Sequence, residues 1–378
     1  MTDTASTVRI RFARDTGFHA ALKRAVALHF EGAGRSRSGG AAMHAKTAAI
    51  LAWFAASYGL LLAFGGTAWW LAAGLTVSLA LATAGIGFSI MHDANHGAYA
   101  RTAAANRAWA LALDFIGASS HVWRFKHNTL HHTYANIDGL DADIDAGPFL
   151  RLAPSQPRRW FHRFQHLYAW PLYGALTVKW WFVDDLLDLV RGRIGAAAFP
   201  RPQGRQLATV LAGKAVFVGW AILVPCLVFR SAWVPLAFLL GAYLLGFVIS
   251  VVFQLAHTVP DAELHAALAG DRRMATSWAE HQVRTTADFA PRNRLLGWYV
   301  GGLNFQIEHH LFPDVCHQHY PALAGMVEAA CREHGIPYRA QPTLRRAVAA
   351  HFRFLQAMGR KDRRPAGLAL ECLASPAS

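Results

Sequence analysis

Long apolar runs alternate along this chain with polar stretches in which histidines gather. Four runs, residues 46–64, 69–91, 207–229 and 233–256, carry almost no charge. Each supplies close to the ~20 helical residues that cross a bilayer's hydrocarbon core. Gly65, Gly66 and Thr67 separate the first pair, and Arg230 and Ser231 the second. Turns this short predict two helical hairpins with every other segment on one side of the membrane. Two further stretches, 103–119 and 167–190, are aromatic-rich but too polar to span; Asp184, Asp185 and Asp188 interrupt the second. They predict helices lying at the interface. The expected fold is therefore an all-α integral membrane protein, with four transmembrane helices in two hairpins and a cytoplasmic helical cap. Residues 1–45 form a cytoplasmic segment, 46–360 one membrane domain, and the polar residues 361–378 a disordered tail.

Composition agrees. The 378 residues are 54% hydrophobic and 16% charged, with 13 Trp and 23 Phe. Soluble domains carry about 25% charge, and Trp concentrates at membrane interfaces. The formal net charge is +14, but its distribution argues against nucleic acid as the partner. Residues 1–46 hold eight Lys and Arg, 91–206 thirteen and 257–378 fourteen, while the short turns hold only Arg230, and Lys214 falls inside a span. That bias puts the large segments in the cytoplasm, against anionic lipid. Residues 1–31 contain no apolar core of a signal peptide. The four cysteines are scattered without a CxxC pair, so packing is their expected role.

The polar stretches carry the candidate chemistry. His92 and His96 continue the second span, with Asp93 between them. His127, His131 and His132 follow the first interfacial stretch, and His309 and His310 follow Gln306, with Glu308 beside them. His257 ends the fourth span as His92 ends the second. Spacings of three and four residues put side chains on one helical face. On an α-helix His127 and His131 share a face, and His132 is turned about 100° away. Neutral imidazole suits iron, copper and zinc. Eight such ligands suffice for two metals with positions left open, and zinc lacks redox chemistry, which favours iron. Asp93, Asp141 and Glu308 are candidate carboxylates for the far nitrogens of ligating imidazoles. Gln306 stands where a further imidazole would complete the third cluster, and is a candidate weak or water-mediated ligand. His257 also fits a histidine at the negative end of a helix dipole. Of the other twelve histidines, including His121, His162, His166, His281, His317 and His319, His281 is the strongest additional candidate.

The boxes His92-Asp93-Ala94-Asn95-His96, His127-Asn128-Thr129-Leu130-His131-His132 and Gln306-Ile307-Glu308-His309-His310 resemble those of the membrane fatty-acid desaturase family. Gln306 heading the third box, with Leu311, Phe312 and Pro313 after it, is similar to the front-end, bacterial linoleoyl-CoA desaturase-like branch. The similarity covers about residues 8–350. It implies a non-haem diiron enzyme that uses O2 and two external electrons to place a double bond between an existing one and the carboxyl end of an acyl chain, CoA- or phospholipid-linked. It implies metal ligation by His92, His96, His127, His131, His132, His257, His309 and His310. The sequence has no His-Pro-Gly-Gly haem motif, so a separate ferredoxin or cytochrome b5-like donor is expected, as is a bacterial inner-membrane location. The same scaffold also admits lipid hydroxylation, sphingolipid desaturation or carotenoid oxygenation. A non-enzymatic membrane haem protein is the remote alternative.

Overall fold

The computed structural model describes residues 10–266 and 273–360. The polar tail with Cys372, and residues 1–9, lie outside the described residues. Four of the described helices are long and apolar enough to cross a membrane: Ala41–Phe64, Trp69–His96, Arg205–Phe229 and Trp233–His257. Only 11% to 44% of the residues in their most apolar windows are buried inside the protein. Much of the remainder, including Leu60, Val77, Leu211, Leu227 and Leu236, is exposed, as hydrocarbon rather than water as the solvent requires. Trp69, Trp70 and Trp233 stand exposed beside the short turns, where interfacial aromatic residues are expected. The protein is an integral membrane protein.

Two of these helices are longer than the apolar pattern suggests. The first begins at Ala41, after Gly40, and buries Met43 and Lys46. The second passes through a π-helical turn, Ile86–Met91, and continues to His96. Its end is set by Gly97 at φ +79°, a left-handed conformation that glycine adopts without steric cost. The first and second spans pack along each other, and the second also packs along the fourth.

The interfacial stretches are broken helices. Residues 103–119 divide into Ala103–Ala110 and Ala112–Phe115 and end at Gly117, φ +106°. The second stretch runs through Gln165–Tyr173, Leu176–Lys179, a π-helical turn Trp180–Asp184, and Asp185–Arg191. It exposes Phe182, Val183, Leu186 and Val190. The helix Leu344–Gly359 packs on Gln165–Tyr173 and on the fourth span.

The N-terminal helix Phe18–Gly32 buries Phe18, Leu22, Val26 and Phe30, a four-residue repeat that makes one apolar stripe. The stripe packs on the helix Tyr320–Glu333, which follows the third histidine box. Strand Arg11–Ala13 pairs parallel with Arg273–Ser277, and Asp288–Phe289 with Ala340–Gln341. Cys316 and Cys331 are buried and unbridged, as packing residues should be.

Candidate metal centre

Each histidine box is positioned by a different local device. His92 and His96 ride the last turns of the second span. The second box lies on a π-helical segment, Arg124–His131. This corrects the α-helical expectation for His132. A wider turn aligns residues five apart, and His132 Nε2 lies 3.2 Å from His127 Nε2 instead of pointing away. The third box occupies a short helix, Gln306–Leu311, approached through Gly301 and Gly302 at φ +62° and +69°. A Cβ on Gly301 would come within 2.1 Å of the Phe88 carbonyl. Glycine there allows the loop to press against the second span.

All eight imidazoles converge. Ligand nitrogens of His92, His96, His127 and His309 lie within 4.8 Å of one another, as do those of His131, His257 and His310, and those of His132, His309 and His310. His131, His257, His309 and His310 are fully buried, and His92, His127 and His132 are at most 8% exposed. Such burial demands hydrogen-bond partners. Yet both ring nitrogens of His92, and Nε2 of His96, His131, His309 and His310, have none. Neither do His132 Nδ1 and His257 Nδ1. So many desolvated lone pairs aimed at a shared space would be costly without a metal to receive them. The donor set, neutral nitrogen throughout, fits iron.

Electrostatics favour the neutral, ligating form. Burial first, and crowding by neighbouring imidazoles second, hold His127, His132, His309 and His310 well below the usual imidazole range. His131 differs. Burial pulls it down, but the adjacent Asp141 carboxylate overcomes this and raises it.

The far nitrogens of three imidazoles reach fixed partners. His131 Nδ1 lies 3.0 Å from Asp141 Oδ2, which also accepts from Asn136 N, while Asp141 Oδ1 accepts from Asp143 N. His310 Nδ1 is 2.8 Å from Gln282 Oε1, and His309 Nδ1 is 3.2 Å from the Tyr320 hydroxyl. With Nε2 facing a metal, each Nδ1–H donates to the partner and fixes the ring. Asp93 makes its short contact elsewhere: His317 Nδ1 is 2.8 Å away and His92 Nδ1 3.7 Å. Lys46 Nζ closes that chain 2.8 Å from His317 Nε2. Glu308 turns from the imidazoles towards Tyr338, whose hydroxyl lies 3.0 Å from Glu308 Oε1 and 2.6 Å from Asp288 Oδ2. Burial pushes both carboxyls up, Asp288 to about 6, and the neighbouring Asp288 raises Glu308 further. The Gln306 amide nitrogen lies 2.9 Å from His257 Nε2, inside the cluster.

The remaining histidines stay outside it. His281 Nε2 meets the Ala135 carbonyl and His162 Nε2 the Pro148 carbonyl. His121 is a half-buried neighbour of Phe199, while His319 packs on Phe30 and His166 on Phe352. Gln282, Tyr320 and Asn136 had no signal in the sequence. Asn136 donates to the His257, Glu263 and Thr285 carbonyls, joining the second box to the end of the fourth span. Trp123, four residues before His127, stacks on its ring at 4.3 Å, and that spacing was a legible hint.

Known proteins share this arrangement of sequence. Residues 67–342 match the profile of the fatty acid desaturase family. An sn-1 linoleoyl-lipid 6-desaturase from Arthrospira platensis is 37% identical over 94% of this chain and 96% of its own length. One of the same name from Synechocystis sp. is 35% identical over 93% and 98%. An acyl-lipid (8-3)-desaturase from Physcomitrium patens is 38% identical over 72% of this chain and 58% of its own length. Family profile and near full-length relatives agree with the converged histidines: the chain belongs to the fatty acid desaturase family.

Proposed function

We propose that the protein is a front-end acyl-lipid desaturase, inserting a double bond between an existing one and the carboxyl end of a fatty acyl chain. The overall balance is –CH2–CH2– plus O2, two electrons and two protons giving –CH=CH– and two waters. Relatives named for linoleoyl-lipid 6-desaturation support the branch, and so does Gln306 at the head of the third box. The observation that carries the reading is the convergence of eight imidazoles, all but His96 buried and all but His127 with an unpartnered ring nitrogen, with His92, His96 and His257 riding the ends of membrane-length helices.

Two iron ions would be held by His92, His96, His127, His131, His132, His257, His309 and His310, with Gln306 near His257 as a weak or water-mediated ligand. Bound iron supplies activation of dioxygen strong enough to remove hydrogen from unactivated methylene groups. The protein's own part is orientation and dryness. Asp141, Gln282 and Tyr320 set three rings. Trp123 and Phe253 stack on His127 and His257 at 4.3 and 4.6 Å, shielding the imidazoles from water and keeping the site apolar for a hydrocarbon chain. Asp93 and Glu308 act at one remove, bracing the first box through His317 and the third through Tyr338.

The reading includes a two-hairpin topology. The capping helices, both termini and the centre face the cytoplasm of a bacterial inner membrane, as the Lys and Arg distribution favours. Electrons come from a separate ferredoxin or cytochrome b5-like donor. Residues 46–360 form the desaturase domain. Expression in a bacterial host fed linoleate tests the function: lipid mass spectrometry should find a new double bond on the carboxyl side of the existing pair. A gained oxygen atom would instead make the protein a hydroxylase.

A further inference from the structure

A polar cleft of about 430 Å3, lined by Asp145, Asp188, Arg191, Arg193 and Gly195, adjoins the second histidine box. Two residues before Asp145, Asp143 lies 3.7 Å from His131 Nδ1 and 4.0 Å from His127 Nδ1. Its other oxygen is 3.1 Å from Lys126 Nζ, on the residue before His127. The cleft wall is therefore next to the centre in both chain and space. Gly192 at φ +65° and the tight pairing of Arg193–Ile194 with Ala197–Ala198 fix the two arginines on a turn. Arg193 Nε donates to the Gly195 carbonyl, leaving its two Nη groups without a hydrogen-bond partner among the described residues. Asp145 Oδ1 accepts from Gly147 N; its Oδ2 and the whole Asp188 carboxylate have no hydrogen-bond partner among the described residues. Burial first, then Asp184 and Asp185, push Asp188 up to about 6 against the pull of Lys126 and Lys179, so a cation beside it would be welcome.

Front-end chemistry places the reacting carbons only a few bonds from the carboxyl end, so whatever bears the acyl chain must sit close to the imidazoles. The cleft offers two carboxylates and two guanidiniums together. A carrier that is purely anionic, such as a CoA or a glycerol-phosphate headgroup, would meet Arg191 and Arg193 but be repelled by Asp145 and Asp188. A headgroup with phosphate and ammonium matches both pairs, the guanidiniums binding phosphate and the carboxylates the ammonium. The helix that carries Asp188 and Arg191 also exposes Leu186 and Val190, and the π-helical turn before it exposes Phe182 and Val183, apolar surface suited to a ligand arriving from the bilayer.

We propose that this cleft binds the zwitterionic headgroup of an ethanolamine phospholipid and so makes membrane phosphatidylethanolamine the acyl donor. The inference rests on the acyl-lipid desaturase reading. The test expresses the full chain in a bacterium containing phosphatidylethanolamine and phosphatidylglycerol, feeds linoleate, and measures the fraction of linoleoyl chains converted within each class. Wild type should favour phosphatidylethanolamine by about fivefold, the discrimination that one partly exposed ion pair supplies. Asp145→Asn with Asp188→Asn should bring the ratio close to one, whereas Arg191→Gln with Arg193→Gln should lower conversion in both classes. Because the ratio is internal, poor folding of a variant does not disguise it. Equal conversion in wild type, or an unchanged ratio in the Asp pair variant, overturns the assignment. Native mass spectrometry of lipids retained by purified wild type separates the two readings. Selective retention of phosphatidylethanolamine without any new double bond would sink the desaturase function and uphold the cleft; equal retention and equal conversion would do the reverse.

Discussion

Lys214 and the histidine cluster are both polar groups enclosed by apolar helices, and they differ in whether their partners are present. Lys214, inside the third span, donates to the Gly117 carbonyl at 2.7 Å, the Trp181 carbonyl at 3.0 Å and Asp185 Oδ2 at 2.8 Å. Asp185 also accepts from Ser119 N and Trp180 Nε1. Each ammonium donor has an acceptor, and both carboxylate oxygens are engaged. In the cluster, by contrast, ring nitrogen after ring nitrogen faces only other nitrogens. A charge in a membrane span ordinarily marks function. Here its complete satisfaction marks architecture, tying the third span to residues 103–119 and 167–190, while the incompleteness of the cluster marks it as the candidate metal centre.

The largest expected effect tests the incomplete cluster. His131→Ala or His309→Ala should abolish desaturation of fed linoleate and lower bound iron, while the protein still inserts in the membrane. Retained product would remove that residue from the ligand set. The satisfied node should respond in the opposite sense. Lys214→Met strands Asp185, which is 1% exposed, and should cost about 3–5 kcal/mol of stability, read by thermal unfolding in detergent. Adding Asp185→Leu should recover only part of that loss: an apolar pair of similar volume is close to neutral, but Ser119 N and Trp180 Nε1 lose their acceptor. If the double variant is stable but loses iron or activity, the node does more than hold helices together.

The same contrast explains what could be read from sequence. Hydropathy located all four spans because lipid imposes a composition on every exposed position, and the histidine clusters stood out because nothing about packing calls for them. The ends and twists were hidden. Whether a helix tightens or widens by one residue depends on tertiary packing, so the π-helical path through Arg124–His131, and with it the inward aim of His132, was invisible to a count based on α-helical spacing. Asp141 was legible as an acid near the second box. Asp93 and Glu308 looked equivalent to it, yet they serve His317 and Tyr338, residues 224 and 30 positions away. Gln282 and Tyr320 are ordinary polar residues until the fold brings them to His310 and His309.

Among the residues that complete an imidazole, the charged one should matter most. Asp141→Asn keeps the shape but removes the charge that raises His131. Loss of such a partner weakens metal affinity by about 10–100-fold. Iron titration of the metal-depleted protein should show this as a rightward shift, and excess iron should restore much of the activity. A loss that iron cannot rescue would mean that Asp141 shapes the loop through its contacts with Asn136 and Asp143 more than it orients His131.

Tyr320→Phe should produce the smallest effect. The phenol oxygen is a neutral acceptor, and its 3.2 Å separation from His309 Nδ1 is the longest of the three contacts, so the bond lost contributes about 1 kcal/mol. The ring is fully buried between the third box and the helix it begins, and phenylalanine preserves that packing. The stranded His309 N–H is the main cost, giving about a fivefold weaker iron affinity with thermal stability near wild type. A loss as large as that of Asp141→Asn would show that charge is not what ranks these partners, and that ring orientation at His309 governs the centre.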